Sequence, residues 1–358
     1  MNPLTRNSTP LTRNFILLFR FTLSAFRNLV LLGILILFFP CGSQAQTKKA
    51  DFFRQSRILM GTAAEISVSQ ADPKEAEDAM GAAFQEMERV NILMSHYRPD
   101  SEASRITRFA GQKEIRVSPE TVEVIERALY FSCLSGGAFD ITIGPVFRLW
   151  NFREGKIPDD RSLRENLKRM DYRKVKANGA GSSVFLEDNG MELDLGAIAK
   201  GYAVDLACTV LLKRGMENFL VKLGGEIKAR GEKEPGVPWI IGIQHPRLPF
   251  ELLAKLKVRD AAISTSGDYE KFFLRGGERY HHILNPSTGM PVRECQSVTI
   301  LAPASMDADA LATTVFVLGP RKGFSLIEKF PGAHAVIVDR RGSVLTSSSW
   351  PAGVLLPP

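Results

Sequence analysis

The spacing of apolar and polar positions divides most of the chain into short elements. Residues 52–68 carry a strand pattern that breaks at "MGT" (residues 60–62), where Gly61 permits a bend or a close backbone approach. Residues 71–94 predict a long amphipathic helix, with Ala79, Ala82, Ala83, Met87 and Val90 at helical spacing. "SHYRPDSEASRI" follows as a loop containing Pro99 and leads into a short helix. Pro119 opens another helix, whose apolar face holds Val122, Ile125 and Leu129. "SGGAFDITIGPVFRLW" (residues 135–150) sets two glycine turns around a short β-branched run and predicts irregular structure. Residues 153–183 are charged, end in "NGAGSS", and predict a helix plus a solvated hairpin.

The stretch "MELDLGAIAKGYAVDLA" (residues 191–207) begins as an alternating strand, turns at Gly196 and becomes a helix over residues 198–214. Strands separated by Gly and Pro turns follow in "FLVKLGGEIKARG", "WIIGIQHP", "LLAKLKVRD", "AAISTSGDYEKFFLR" and "YHHILNP". A strand over residues 297–301, a helix over 307–318, a second helix over 324–329 and strands to residue 345 complete the pattern. Helices mix with antiparallel-looking strands without βαβ alternation, so the fold class is α+β, and no repeat or break in composition divides the chain.

The first 45 residues differ in kind. Arg6, Arg13, Arg20 and Arg27 occur there with no acid, ahead of the apolar run at residues 29–39, "LVLLGILILFF". This is the pattern of a secretory signal, with Ser43 and Ala45 as the small residues before a cleavage site; an uncleaved anchor is the alternative, and Cys41 lacks the small neighbour of a lipidated cysteine. The expected organisation is a signal or membrane anchor at 1–45 and one mixed α/β domain at 46–358. Removing four arginines and no acid takes the formal net charge from +7 to +3, so charge gives no reason to expect nucleic acid. Cys133, Cys208 and Cys295 remain, odd in number and far apart; they fit neither a disulfide framework nor a zinc site and are expected as small buried hydrophobes.

Candidate chemistry starts at Lys200, in the opening turn of a predicted helix. A helix N-terminus carries about half a positive charge, so a lysine there is unfavourable unless an anion sits beside it. With Asp194 just upstream, the pattern suggests an anionic ligand such as a phosphate. No P-loop and no dinucleotide fingerprint is present. Gly224-Gly225 fits either a plain turn or a close approach to a ligand. In "DADALATT", Asp309 and Thr313 lie four apart on one helix face and offer hard oxygens suited to Mg²⁺. The competing reading makes Asp307 an N-cap, Asp309 a first-turn carboxylate and Thr313 a core hydroxyl. His281 and His282 point to opposite faces of a strand, so one of them meets a cleft, where a neutral histidine can accept a proton. "STSGDY" around Ser266 lacks the serine-hydrolase elbow and equally describes a turn.

Taken in order, "RILMGT", "SHYRPDSEASRI", "GGAFDITIGPV", "LDLGAIAKGYAVD", "NFLVKLGGEIKARG", "ISTSGDYE", "HHILNPSTG" and "DADALATTVFVLG" resemble the ApbE family of FAD:protein FMN transferases over residues 57–345. Asn285 and Glu226 are mild departures from the family pattern. The resemblance implies a single α+β domain of ApbE-like, T-fold-like type that splits FAD at its pyrophosphate, attaches FMN to a threonine hydroxyl of a target protein and releases AMP. It implies FAD contacts from Met60, Tyr97, Ala138, Phe139, Asp140, Asp194, Lys200 and the backbone near Ile283. It also implies Mg²⁺ held by the Ala197 carbonyl, Asp309 and Thr313. His282 is the candidate base, His281 the fallback, and Lys200 stabilises developing charge. The implied setting is periplasmic, with inner-membrane attachment as an option, and the implied partners are flavin-accepting subunits of membrane redox complexes. FAD hydrolysis to FMN and AMP, or a flavin carrier without chemistry, are the alternatives.

Overall fold

The computed structural model describes residues 52–348, 350–351 and 355–356; the signal or anchor expected at residues 1–45 lies outside them. The chain begins with a hairpin, β1 (Phe52–Leu59) and β2 (Thr62–Ser69), closed by Met60 and Gly61, both at positive φ. Helix α1 (Pro73–Met94) follows, started by Asp72, whose carboxylate accepts from the Lys74 and Glu75 amides. Next come α2 (Glu102–Arg108), β3 (Ile115–Arg116), α3 (Pro119–Leu134), α4 (Gly144–Phe147), α5 (Asp160–Leu167), β4 (Val175–Asn178) and β5 (Ser183–Leu186). Helix α6 (Ala199–Lys213) leads to β6 (Phe219–Leu223), β7 (Glu226–Arg230), β8 (Trp239–Gln244), β9 (Leu252–Val258), β10 (Ala261–Gly267), β11 (Phe272–Arg275) and β12 (Glu278–His281). The last elements are β13 (Cys295–Ala302), α7 (Ser305–Ile327), β14 (His334–Asp339), β15 (Val344–Thr346) and β16 (Leu355–Leu356).

Eight strands form one antiparallel sheet in the order β1-β2-β6-β7-β10-β13-β14-β15. Its face toward α1, α6 and α7 forms the main core, which includes Phe84, Phe131, Phe219 and Phe316. Side chains alternate along a strand, so Leu301 of β13 points away from its neighbours Ile300 and Ala302. Leu301 joins Ala229, Ile263 and the small sheet β16-β9-β8 in a second cluster on the other face. All eight residues of β13 are therefore buried. The fold is α+β, as the mixture of periods predicts.

Three local expectations need correction. Residues 191–195 alternate in burial but form no strand; their one sheet contact is the isolated parallel bridge Ile143↔Glu192. The two helices expected at 307–318 and 324–329 are present but start earlier, at Ser305 and Pro320, and together make α7, separated at Gly319, whose φ 75° and ψ 174° are not helical. Cys133 is exposed, whereas Cys208 and Cys295 are buried, and all three are free thiols.

Candidate active site

The N-termini of α6 and α7 cross at Gly201. A Cβ at Gly201 would lie 2.3 Å from the Ser305 carbonyl oxygen and 2.7 Å from Met306 Cα, so only glycine permits this approach. Helix α7 has no cap from its own residue, Ala304. Asp205, on the second turn of α6, supplies the cap from outside by accepting from the Ser305 and Met306 amides at 3.1 and 2.9 Å while pairing with Lys228. In return, Asp309 of α7 caps α6 by accepting from Gly201 N–H at 2.9 Å. That N–H is one of the first-turn donors of α6 that have no carbonyl partner within the helix, so Asp309 satisfies it. Asp307 is not the N-cap; it lies within the first turn of α7 and forms a two-pronged pair with Arg127 at 2.7 and 2.8 Å.

Two carboxylates of the protein lie beside Lys200. Lys200 Nζ lies 2.8 Å from Glu226 Oε1 and 3.3 Å from each oxygen of Asp309. Asp309 and Glu226 are 2% and 3% exposed. Burial alone would lower the pKa of Lys200, but the charges of Asp309 and Glu226 outweigh it and hold the ammonium above its ordinary value. Glu226 is raised, because burial exceeds the pull of Lys200 and the Asp309 charge adds to the rise. Two carboxylates thus share one ammonium in a water-poor site.

Thr313 sits one turn beyond Asp309, its hydroxyl 3.4 Å from Ser266 Oγ on β10. Thr314 bonds back to the Ala310 carbonyl at 2.6 Å, so Thr313 is the hydroxyl of this pair that remains for a ligand. The expectation that only the core reading or only the metal reading of "DADALATT" applies is too simple: Asp309 is both a helix cap and a lone-pair donor with one oxygen, Oδ1, held only by the long lysine contact. Among the described residues no group of three or more His, Cys, Asp or Glu side chains could hold a metal. A divalent ion here would take mixed oxygens, and Asp309 Oδ1 and the Thr313 hydroxyl, with the Ala197 carbonyl that the resemblance implies, fit the preference of Mg²⁺ for few hard protein ligands.

A cavity of about 530 Å³ opens a few residues before Lys200. Asp194 lines it with His96, Tyr97, Phe147, Arg148 and Glu192. Asp194 accepts from Gly196 N–H at 2.8 Å and from His96 Nδ1 at 3.2 Å. Burial would raise this carboxyl, but the His96 bond and charge, the Gly196 amide and the Lys271 charge together hold it below its ordinary value. Tyr97 is 72% exposed and lies 3.9 Å from the His96 ring, so it is a surface aromatic and not core. The "GGAFDITIGPV" segment reaches the same place: the Asp194 amide donates to the Ile141 carbonyl at 2.8 Å. Within it, the Phe139 ring is buried against Phe131. Asp140 accepts from the Thr142 amide and hydroxyl at 2.8 and 2.6 Å, and burial raises its pKa. Ala138 closes the preceding turn with its amide 3.5 Å from the Ser135 carbonyl.

The two histidines separate as alternation predicts. His281 is buried, bonded to the Val292 carbonyl at 2.6 Å and the Ile283 amide at 3.2 Å. Ile283 is itself buried, and its carbonyl accepts from Val292 N–H at 3.1 Å, so both its backbone groups have protein partners. His282 is partly exposed, but its Nδ1 is sealed from solvent without a partner. Burial, His281, Lys271 and Lys200 push its pKa down to about 3, so the ring is neutral at any working pH. Met60, at φ 49°, tops the first hairpin at the sheet end where Gly224 packs on Thr62. Gly225 has its Cα hydrogen side against the Thr265 carbonyl, 2.7 Å from where a Cβ would stand, so both glycines are used by chain packing. Ser266 has no histidine bonded to it among the described residues.

Motif reading passed over His96, Asp205, Glu226 and Lys271. His96 and Asp205 stand inside the quoted motifs, and Glu226 was visible only as a departure from a pattern. Lys271 carries no local signal; its backbone carbonyl accepts from His282 N–H at 3.0 Å.

Residues 60–338 match the model of the ApbE family. The chain is 37% identical over 316 residues to a protein of Treponema pallidum named FAD:protein FMN transferase, covering 83% of this chain and 86% of that one. A protein of the same name from Vibrio cholerae is 34% identical over 312 residues, covering 84% and 90%. Among solved structures, an ApbE protein of Thermotoga maritima superposes with a TM-score of 0.76 at 33% identity over 83% of this chain and 97% of that one. The flavin transferase ApbE from Vibrio cholerae superposes with a TM-score of 0.75 at 32% identity, covering 84% and 98%. With the family model, the relatives and the fold agreeing over nearly the whole described length, the chain belongs to the ApbE family.

Proposed function

We propose that this chain transfers the FMN moiety of FAD to a threonine hydroxyl of a target protein and releases AMP. The observation that carries the reading is the Asp309 carboxylate and Thr313 hydroxyl on one face of α7, beside the Lys200 ammonium where α6 and α7 cap each other. The names of the relatives support flavin transfer from FAD to protein. Mg²⁺ bound by Ala197, Asp309 and Thr313 would neutralise diphosphate charge and orient it. Lys200 offers an ammonium for the charge that develops on the phosphoryl oxygens as the threonine oxygen attacks phosphorus and the bridging P–O bond to AMP breaks. Tyr97 lines the cavity and Met60 tops the first hairpin, an aromatic ring and a thioether suited to a flavin or adenine ring. Asp194 and Asp140 offer acceptors for N–H and O–H groups of the bound dinucleotide.

His282 accepts the threonine proton. In the resting site its basicity is suppressed by burial and by neighbouring positive groups, two of which are Lys271 and Lys200. An anionic dinucleotide offsets those charges and raises the basicity of the ring when substrate is present. The N-terminal arginines and apolar run support export, with acceptors on the outer side of the inner membrane as subunits of redox complexes. Asp309→Ala tests the assignment: FMN transfer is lost while FAD is still bound. Unchanged transfer rules out the metal site, and a wild type that binds FAD but neither transfers nor hydrolyses it makes the chain a carrier.

A further inference from the structure

Glu226 has no part in the chemistry above, yet it is the nearest partner of Lys200. Its carboxylate is 3% exposed, and Oε2 is buried without a hydrogen-bond partner. Oε1 takes Lys200 at 2.8 Å, with Ser264 Oγ more distant at 3.5 Å. Lys200 stands farther from Asp309, at 3.3 Å from both oxygens. One ammonium thus stands between two buried carboxylates, nearer to Glu226 than to Asp309. A cation on Asp309 Oδ1 meets the ammonium already there, and like charges at that separation repel strongly in a dry site.

We propose that Glu226 is a positioning residue that holds Lys200 away from Asp309, so that Asp309 can accept a divalent cation without driving the ammonium into solvent. This rests on the metal reading of Asp309 and extends it to a residue outside the ligand set. Lys200 then turns on Glu226 as on a pivot, leaving its remaining N–H donors for an anionic substrate. Without the Glu226 charge, Lys200 has Asp309 as its only counter-ion and competes with the cation for it.

The test measures Mn²⁺ binding by electron paramagnetic resonance on the purified protein without FAD, so the readout does not depend on turnover. Glu226→Gln is expected to weaken Mn²⁺ affinity about tenfold, and Glu226→Asn, whose amide is drawn back from Lys200, to do the same. Thermal melting without metal checks that each variant is folded. Adding Lys200→Met to Glu226→Gln removes the competing ammonium and is expected to restore affinity to within about twofold of wild type. Unchanged affinity in both Glu226 variants overturns the proposal. So does a double variant as weak as Glu226→Gln, because Glu226 would then be a direct ligand or a purely structural group. If Asp309→Asn binds Mn²⁺ like wild type, the metal reading falls and takes this inference with it. Binding lost in Asp309→Asn but unchanged in Glu226→Gln refutes the inference alone.

Discussion

Replacing Gly201 by alanine sets two physical effects against each other. Gly201 is in the first turn of α6, where alanine is favoured over glycine by about 1 kcal/mol on helix propensity alone. The added methyl, however, would stand 2.3 Å from the Ser305 carbonyl oxygen and 2.7 Å from Met306 Cα, both backbone atoms that cannot rotate aside. Relief requires α7 to move by about 1 Å, and overpacking of this kind costs about 1–3 kcal/mol. The same movement stretches the 2.9 Å bond from Gly201 N–H to Asp309, and leaving that buried donor unpaired costs about 1–3 kcal/mol more. The balance is a destabilisation of about 2 kcal/mol, or a fall in melting temperature on the order of 5 °C for a domain of this size. Circular dichroism melting measures the first effect, and FMN transfer to an acceptor domain measures the displacement of Asp309, expected as a loss of at least tenfold. A Gly201→Ala protein that melts at or above the wild-type temperature would show that the α6–α7 crossing does not need glycine, and the argument for a mutually capped site would fail.

Two further predictions follow from the same contacts. Asp205→Ala removes the external cap of α7 and leaves Lys228 without its partner, so urea unfolding should show a loss of about 1–2 kcal/mol, with Asp205→Asn keeping one of the two amide bonds and so part of the cap. His282 has a folded-state pKa of about 3 against an ordinary 6.5, so its contribution is fully present above pH 6.5 and drains away as pH falls towards 3. His282→Gln should flatten the acid limb of the stability curve over that window by about 5 kcal/mol at most, and equal acid sensitivity in the two proteins contradicts a buried neutral ring.

The parts of this molecule that were legible in sequence are those whose cause is local. Period and capping residues fix α1, with Asp72 and Pro73 at its start, and the four-residue spacing of Asp309 and Thr313 fixes their shared face on α7. The unfavourable position of Lys200 correctly signalled a nearby anion, but its identity depended on residues 26 and 109 positions away, brought in by the β6–β7 turn and the α6–α7 crossing. No periodicity encodes that meeting. The alternation at residues 191–195 is real in burial, yet the segment lacks a ladder because its neighbour, the Ile141–Ile143 stretch, is itself irregular. Phe139 was assigned to the ligand by its motif, and its ring is buried against Phe131; motif membership does not say which way a side chain points. Asp205 reads as an ordinary helix residue until α7 is seen to start without a cap of its own.

The most direct measurement is the mass of a threonine-containing acceptor domain after incubation with the purified chain, FAD and Mg²⁺. The account predicts an acceptor heavier by one FMN unit, equimolar AMP, and neither when the divalent ion is chelated or Asp309 is replaced by alanine. An acceptor of unchanged mass while FAD is split to FMN and AMP, or an FMN adduct that forms equally well without a divalent ion, would contradict it.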